Sequence, residues 1–260
     1  MLNLRYFKLI ALMLPITVIL AACGGNSGNE AVCGYDEWGD PIFCSVNSTI
    51  PPLPTPIAST STFNIAQGMT NAASSSYSYT IKAQDANYNI YSIQYSSMPG
   101  QPATFQSTPA SSATITEAFS ENNTQSSNDI WTNYYTLSPF QLLGSSANYP
   151  GGSEVVNNWQ APPATATVGQ QFLLMTSTLY HDSTNSIADG TLTESVGLSA
   201  NTTTTALLCF TDTVQLTQAG INDNLYEGTT SKCYIIDPAG NLLGMQITTP
   251  VNGVGVLQFY

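Results

Sequence analysis

Apolar and polar residues alternate through most of the chain beyond residue 63. In Tyr77-Ser78-Tyr79-Thr80-Ile81-Lys82-Ala83, the residues Tyr77, Tyr79, Ile81 and Ala83 share one face, and Ser78, Thr80 and Lys82 share the other. Tyr91, Ile93 and Tyr95 repeat this against Ser92, Gln94 and Ser96. Leu192, Val196 and Leu198 share a face with Glu194, while Thr191, Thr193 and Ser195 point away. A period of two marks strands buried on one side, as in an antiparallel sheet. Further strands are expected at 113–119, 130–137, 171–180, 205–216, 231–236, 242–248 and 254–259. No stretch after the N-terminal leader gives a helical stripe. The short gaps predict a meander.

A five-residue pattern recurs three times along the chain. Asp36-Glu37-Trp38-Gly39-Asp40, Asp85-Ala86-Asn87-Tyr88-Asn89 and Asp237-Pro238-Ala239-Gly240-Asn241 begin with Asp and end with Asn or Asp. Asp bonds the backbone ahead of it, Pro presets φ and Gly takes the left-handed position, so each reads as a hairpin turn. Calcium fails on ligand count, because a calcium loop needs more oxygens at fixed places and a closing Glu.

Between Leu143 and Val168 the pattern breaks at Tyr149-Pro150-Gly151-Gly152 and Ala161-Pro162-Pro163-Ala164. The expected class is therefore all-β, with antiparallel meander strands in two packed lobes at 63–148 and 149–260. One β-sandwich or incomplete barrel using all the strands is the alternative. Ahead of the lobes, residues 45–62 are rich in Ser, Thr and Pro, which favours an extended spacer. Residues 33–44 form a small unit bounded by Cys33 and Cys44, and 24–32 form a Gly/Asn tether. Residues 23–62 thus form a linker segment.

Residues 1–22 read as a signal peptide: Arg5 and Lys8, then an apolar run from Leu9 to Leu20, then small residues. The run is shorter than the roughly 20 residues of a membrane span. Leu20-Ala21-Ala22-Cys23 resembles the lipobox of bacterial lipoproteins. The resemblance implies cleavage before Cys23, a diacylglycerol on its thiol and an acylated amino end. Gly24 follows, whereas Asp at that place commonly retains such proteins at the inner membrane, so the resemblance implies the outer membrane. The body resembles polar, all-β bacterial surface lipoproteins in general character.

Charge changes in the same step. The chain has four Lys and Arg against 16 Asp and Glu. With Arg5 and Lys8 gone, only Lys82 and Lys232 remain, and the formal charge moves from −12 to −14. A field of that sign repels phosphate backbones and excludes nucleic acid as a partner. It also excludes polybasic attachment to anionic lipid, so the N-terminal lipid would be the membrane partner. Only 8% of residues are charged while 10% are aromatic, which fits a folded β protein outside the cytoplasm.

Cys23 apart, four cysteines remain, and an even number in an exported chain implies disulfides with three possible connectivities. Local pairing, Cys33 with Cys44 and Cys209 with Cys233, is the economical choice. Zinc fits poorly, since neither pair has C-x-x-C spacing and one His cannot complete a site. No metal or other cofactor is expected.

Catalytic motifs are missing. The one histidine, His181, lies in Tyr180-His181-Asp182-Ser183. That run reads as a strand end entering a polar loop, because a triad needs side chains that meet in space. Glu117, Glu121, Asp129, Glu154, Glu194 and Glu227 lie in no recognisable motif. Trp38, in a unit too small to bury it, and Trp131, on a strand, are the weak candidates for ligand stacking, although strand rings are more often core. The closing strand 254–259 spoils the alternation of an outer-membrane barrel, with Gln258 and Tyr260 on one face. The expectation is a lipid-anchored envelope protein with a non-catalytic binding or structural role, its partner an envelope protein or a glycan. The alternatives are an anchored hydrolase acting on glycans through two carboxylates, and a carbohydrate-binding module.

Overall fold

The computed structural model describes residues 31–35, 41–44, 59–147, 149, 151–251 and 254–260. Strands β1 (Ala31–Tyr35) and β2 (Pro41–Cys44) pair antiparallel, with Tyr35 opposite Pro41 and Ala31 opposite Cys44. They belong to a different compact unit from the strands that follow. The turn between them, with the Asp36 pattern, lies outside the described residues.

The body runs from Ile57 to Tyr260. Helix α1 (Ile65–Ser74) comes first, then β3 (Tyr77–Gln84), β4 (Ile90–Pro99), β5 (Ala103–Phe105), β6 (Thr108–Glu121), β7 (Thr124–Leu137) and β8 (Phe140–Ser146). After these come β9 (Ser153–Trp159), β10 (Gln171–Tyr180), β11 (Ala188–Ala200), β12 (Ala206–Leu216) and helix α2 (Gln218–Asn222). The last strands are β13 (Gly228–Ile236), β14 (Leu242–Val251) and β15 (Gly255–Phe259). They make one 13-stranded antiparallel meander in chain order, with β5 paired to β6 alone. The sheet curls until its ends meet, where Lys82 of β3 and Tyr260 exchange two backbone hydrogen bonds of 3.1 Å. The fold is all-β and nearly a closed barrel.

The sheet passes through the expected division at 149. Gly144 and Ser145 of β8 pair with Val155 and Glu154 of β9. Thus the breakers near 149 and 162 mark connections inside one sheet. The incomplete barrel describes the body and the two-lobe arrangement does not. Short local breakers cannot tell a turn from a boundary; strand pairing can.

Alternation along the strands sends one set of side chains into the interior. Tyr91, Ile93 and Tyr95 of β4, Leu192 and Val196 of β11, and Leu208 and Phe210 of β12 are all buried there. Helix α1 joins them, against the expectation of no helix. Its N-cap Asn64 accepts a bond from the Gln67 amide, and Ile65, Gly68, Met69 and Ala72 form the buried stripe. The stripe is only ten residues long and contains a glycine, which is why it gave little signal. Gly68 lets the helix approach closely, since a Cβ there would lie 2.9 Å from Leu208. Around Met69, Tyr95 and Phe210 the packing leaves a cavity of about 10 Å³, room for one water at most.

The turn between β13 and β14 clamps this helix. Asn64 N–H donates to the Pro238 carbonyl at 3.0 Å, and Asn71 Nδ2 donates to the Gly240 carbonyl at 2.9 Å. The turn holds itself through Asp237, which accepts from the backbone and side-chain nitrogens of Asn241 at 2.9 and 2.8 Å. The turn between β3 and β4 is built alike, with Asp85 accepting from both nitrogens of Asn89 at 2.9 Å. Gly240 has φ +87° where Tyr88 has +65°. Tyr88 is 80% exposed, so its ring adds no packing to offset a left-handed backbone.

The two turns should therefore respond oppositely. Gly240→Ala should lower stability by about 1–3 kcal/mol, because its Cβ would stand 2.5 Å from the Asn64 carbonyl oxygen. Tyr88→Gly should be neutral or stabilising by up to about 1 kcal/mol. Urea unfolding of both variants checks this; a Gly240→Ala midpoint at or above wild type contradicts the clamp.

Candidate functional site

In four strands a charged residue occupies the apolar register. Glu117 of β6 follows Ile115 and precedes Phe119; Glu194 of β11 stands between Leu192 and Val196. Asp212 of β12 follows Phe210, and Lys232 of β13 precedes Tyr234. Their alternation turns them inward, so Glu194 and Lys232 are 0% exposed, Asp212 3% and Glu117 6%. Glu194 stands directly opposite Asp212 across the strand pair. Lys232 lies two residues from Thr230, the partner of Asp212, which is within reach of a long side chain. Glu154 of β9 is buried as well, and its Oε1 accepts from Ser177 Oγ at 2.5 Å.

The lysine bonds to a phenol. Its Nζ donates to Tyr95 Oη at 3.0 Å and lies 4.9 and 5.5 Å from the ring centres of Tyr95 and Tyr234. Tyr234 Oη meets Tyr77 Oη at 2.8 Å, and Tyr77 Oη donates to the Ala72 carbonyl at 2.9 Å. With the Tyr77 proton committed to Ala72, Tyr234 is the donor to Tyr77. Phenols thus run from the end of α1 towards the buried amine.

Burial decides the charge states. It pushes Glu117 up to about 8, with the Asp129 charge adding and Lys232 opposing. Burial also lifts Asp129 to about 6. Glu194 is driven well above the carboxylate range by burial and then by Asp212, and burial raises Asp212 too. Lys232 is lowered by burial, against the pull of its acid neighbours. Two carboxyls set face to face in low dielectric cannot both ionise. The interior therefore favours protonated acids around a weakened lysine. Such a cluster can store and share protons, but its carboxyls are too deeply enclosed to touch a polymer.

A second cluster lies at the end of β10. His181 Nδ1 is 2.8 Å from Asp223 Oδ2 and 4.0 Å from Asp189 Oδ2. The short α2 brings Asp223 there as its C-cap, and the N-cap Thr217 ties α2 to β11, its amide donating to the Asp189 carbonyl at 2.8 Å. Thr217 Oγ1 also donates to the Ala188 carbonyl at 2.8 Å. The Asp223 hydrogen bond raises the His181 pKa, with burial opposing. His181 does begin a polar turn after β10, as its sequence suggests, and the fold adds Asp189 from the start of β11 and Asp223 from the more distant α2.

The remaining expected residues are placed as follows. Cys209 and Cys233 form a disulfide between directly opposed positions of β12 and β13, their Cα atoms 3.9 Å apart. Cys23 and Trp38 lie outside the described residues, as do the side chains of Cys33 and Cys44. Trp131 is 1% exposed, its ring edge-on to Tyr95 at 6.3 Å, so it is core and offers no stacking platform. Strand alternation places it inward with Asn133 and Tyr135.

No family model, curated protein or solved structure matches the chain. The two clusters rest on their own chemistry. Sequence reasoning passed over Asp212 and Lys232 and found no role for Glu117, Glu154 or Glu194. A signal existed: each of Glu117, Glu194, Asp212 and Lys232 interrupts the apolar face of its strand.

The raised Glu117 pKa sets a pH dependence. The folded chain keeps this proton up to about pH 8, while the unfolded chain releases it near 4.5. Between those values the fold binds the extra proton, so this contribution to stability is lost as pH rises. Lys232, lowered in the fold, acts in the opposite sense, so the readout is a difference. The stability of wild type relative to Glu117→Gln should fall between about pH 5 and about pH 8. Thermal unfolding of both proteins at several pH values measures it; a constant difference rejects the buried protonated acid.

Proposed function

We propose that this chain is a cell-envelope lipoprotein, anchored through acyl chains on Cys23, whose β body has a non-catalytic binding or structural role. The ordered features at Leu20-Ala21-Ala22-Cys23 carry the anchoring half of this reading. Two acyl chains hold a protein at a bilayer far more firmly than one. Gly24 favours the outer membrane. Among the described residues no helix is long and apolar enough to cross a membrane.

The observation that carries the non-catalytic half is the enclosure of the acids. A glycan hydrolase needs two carboxyls flanking a reachable bond. Glu194 and Asp212, the opposed pair, are 0% and 3% exposed. On β11 and β12 outward positions include the polar, small Thr191, Thr193, Ser195, Thr211 and Thr213, while exposed apolar side chains such as Met98, Ile130, Leu173 and Val256 stand singly on other strands. A wall facing lipid would carry an apolar band there. The hydroxyl-rich outer faces of β11 and β12 suit a body standing in water beside the membrane that anchors it.

Mass spectrometry of the native N-terminus tests the anchor. Residues 1–22 should be absent and Cys23 should carry diacylglycerol; an unmodified Cys23 or a retained leader overturns it. The soluble body should show no hydrolysis of a glycan panel, and an activity abolished by Glu194→Gln without unfolding would overturn the non-catalytic reading.

A further inference from the structure

We propose that His181, Asp189 and Asp223 form a binding site for one divalent transition-metal ion of the zinc class. The site lies where the end of β10, the start of β11 and the C-cap of α2 come together. It goes beyond the anchored-body reading and is independent of it.

The donor set selects the kind of ion. One imidazole nitrogen and two carboxylate oxygens suit zinc, which accepts nitrogen and oxygen ligands in a four-coordinate shell. Calcium prefers six to eight oxygens, and magnesium keeps an octahedral shell of oxygens and waters. An imidazole among three protein ligands favours the borderline transition metals over both. Charge agrees, since two carboxylates and a neutral ring are balanced by a dication.

The geometry fits an ion at the centre. One ligand atom from each residue lies within 4.8 Å of the others. Ligands held about 2.0–2.2 Å from a tetrahedral zinc ion stand about 3.3–3.6 Å from each other. The 4.0 Å between His181 Nδ1 and Asp189 Oδ2 and the 2.8 Å to Asp223 Oδ2 bracket that range, so a small shift of the His181 ring and of Asp223 brings the ligands onto one ion. Asp223 can move, being 26% exposed on its side chain. Asp189 is fully buried and closes the inner side, while His181 is 38% exposed and leaves the outer side to a water ligand and to entry.

The backbone holds all three ligands in place. The His181 amide donates to the Ile187 carbonyl at 3.0 Å, closing the β10–β11 turn. The Asp189 carbonyl receives the Thr217 amide, and the Asp223 amide donates to the Ala219 carbonyl at 3.0 Å. Positions 181, 189 and 223 are thus joined by a built corner of the fold, where an ion would staple α2 to the β10–β11 turn. The competing occupant is a proton, which makes His181 a cation bonded to Asp223. Metal titration separates the two.

The test uses the folded body stripped by chelator and titrated calorimetrically with Zn²⁺, Mn²⁺ and Ca²⁺. Zinc should bind saturably at one site and raise Tm, with Ca²⁺ at least about tenfold weaker. His181→Ala and Asp223→Asn should each weaken zinc by about tenfold or more, while Glu121→Gln, an exposed acid on β6, should not. Both affected residues are partly exposed, so circular dichroism should show native β structure in each variant. The proposal is overturned if zinc fails to saturate one site, if Ca²⁺ binds as tightly, or if binding survives both His181→Ala and Asp223→Asn.

Discussion

The enclosed interior is the constraint on which the rest of this body depends. Each strand must turn alternate side chains into one shared space, because the sheet curls until Lys82 meets Tyr260. Burial of Tyr91, Ile93, Val196, Leu208 and Phe259 supplies the driving force, at about 25 cal/mol per Å² of apolar surface removed from water. Helix α1 occupies part of the same space. Its stripe of Ile65, Gly68, Met69 and Ala72 is short, and isolated helices of that length are marginal in water. Tertiary packing and the 237–241 turn therefore keep it folded.

Charged residues inside this space are costly unless neutralised or paired. The cluster of Glu117, Glu194, Asp212 and Lys232 meets the cost chiefly by changing protonation. Burial raises the acids and lowers the lysine, so fewer full charges sit in the low-dielectric interior. Tyr95 and Tyr234 complete the arrangement, one accepting from the amine and both presenting ring faces to it. Pairing alone would leave the acids in excess, because Lys232 is the one interior cation among the described residues.

At the end of β10 the same acidic chain behaves differently. His181 and Asp223 remain near water in front of the buried Asp189, where charge can persist and an incoming cation can replace a proton. The small α2 matters out of proportion to its five residues. Gly220 allows it to sit against β11, since a Cβ there would lie 2.2 Å from the Asp189 carbonyl oxygen. That contact brings Asp223 to the ring.

The sequence by itself determined the all-β class, the meander and most strand positions, because side-chain alternation is a local property with a period of two. The turns at Asp85 and Asp237 were legible for the same reason, since Asx bonding spans five residues. The Cys209–Cys233 pairing followed from economy of loop length. Helix α1 was not read, although Ile65, Met69 and Ala72 have the right spacing, because ten residues with Gly68 inside carry a weak period. Strands β8 and β9 were lost among breakers, and with them the continuity of the sheet at 149. Trp131 was read only as a strand ring, and its depth depends on which neighbours close over it. The clusters lay further from reach. Glu194 was visible on an apolar face, but its meeting with Asp212 depends on register between strands, and Lys232 meets Tyr95 only once the sheet has curled. His181 meets Asp223 across 42 residues of chain. Such contacts are set by closure of the whole sheet, so only the tertiary structure decided them.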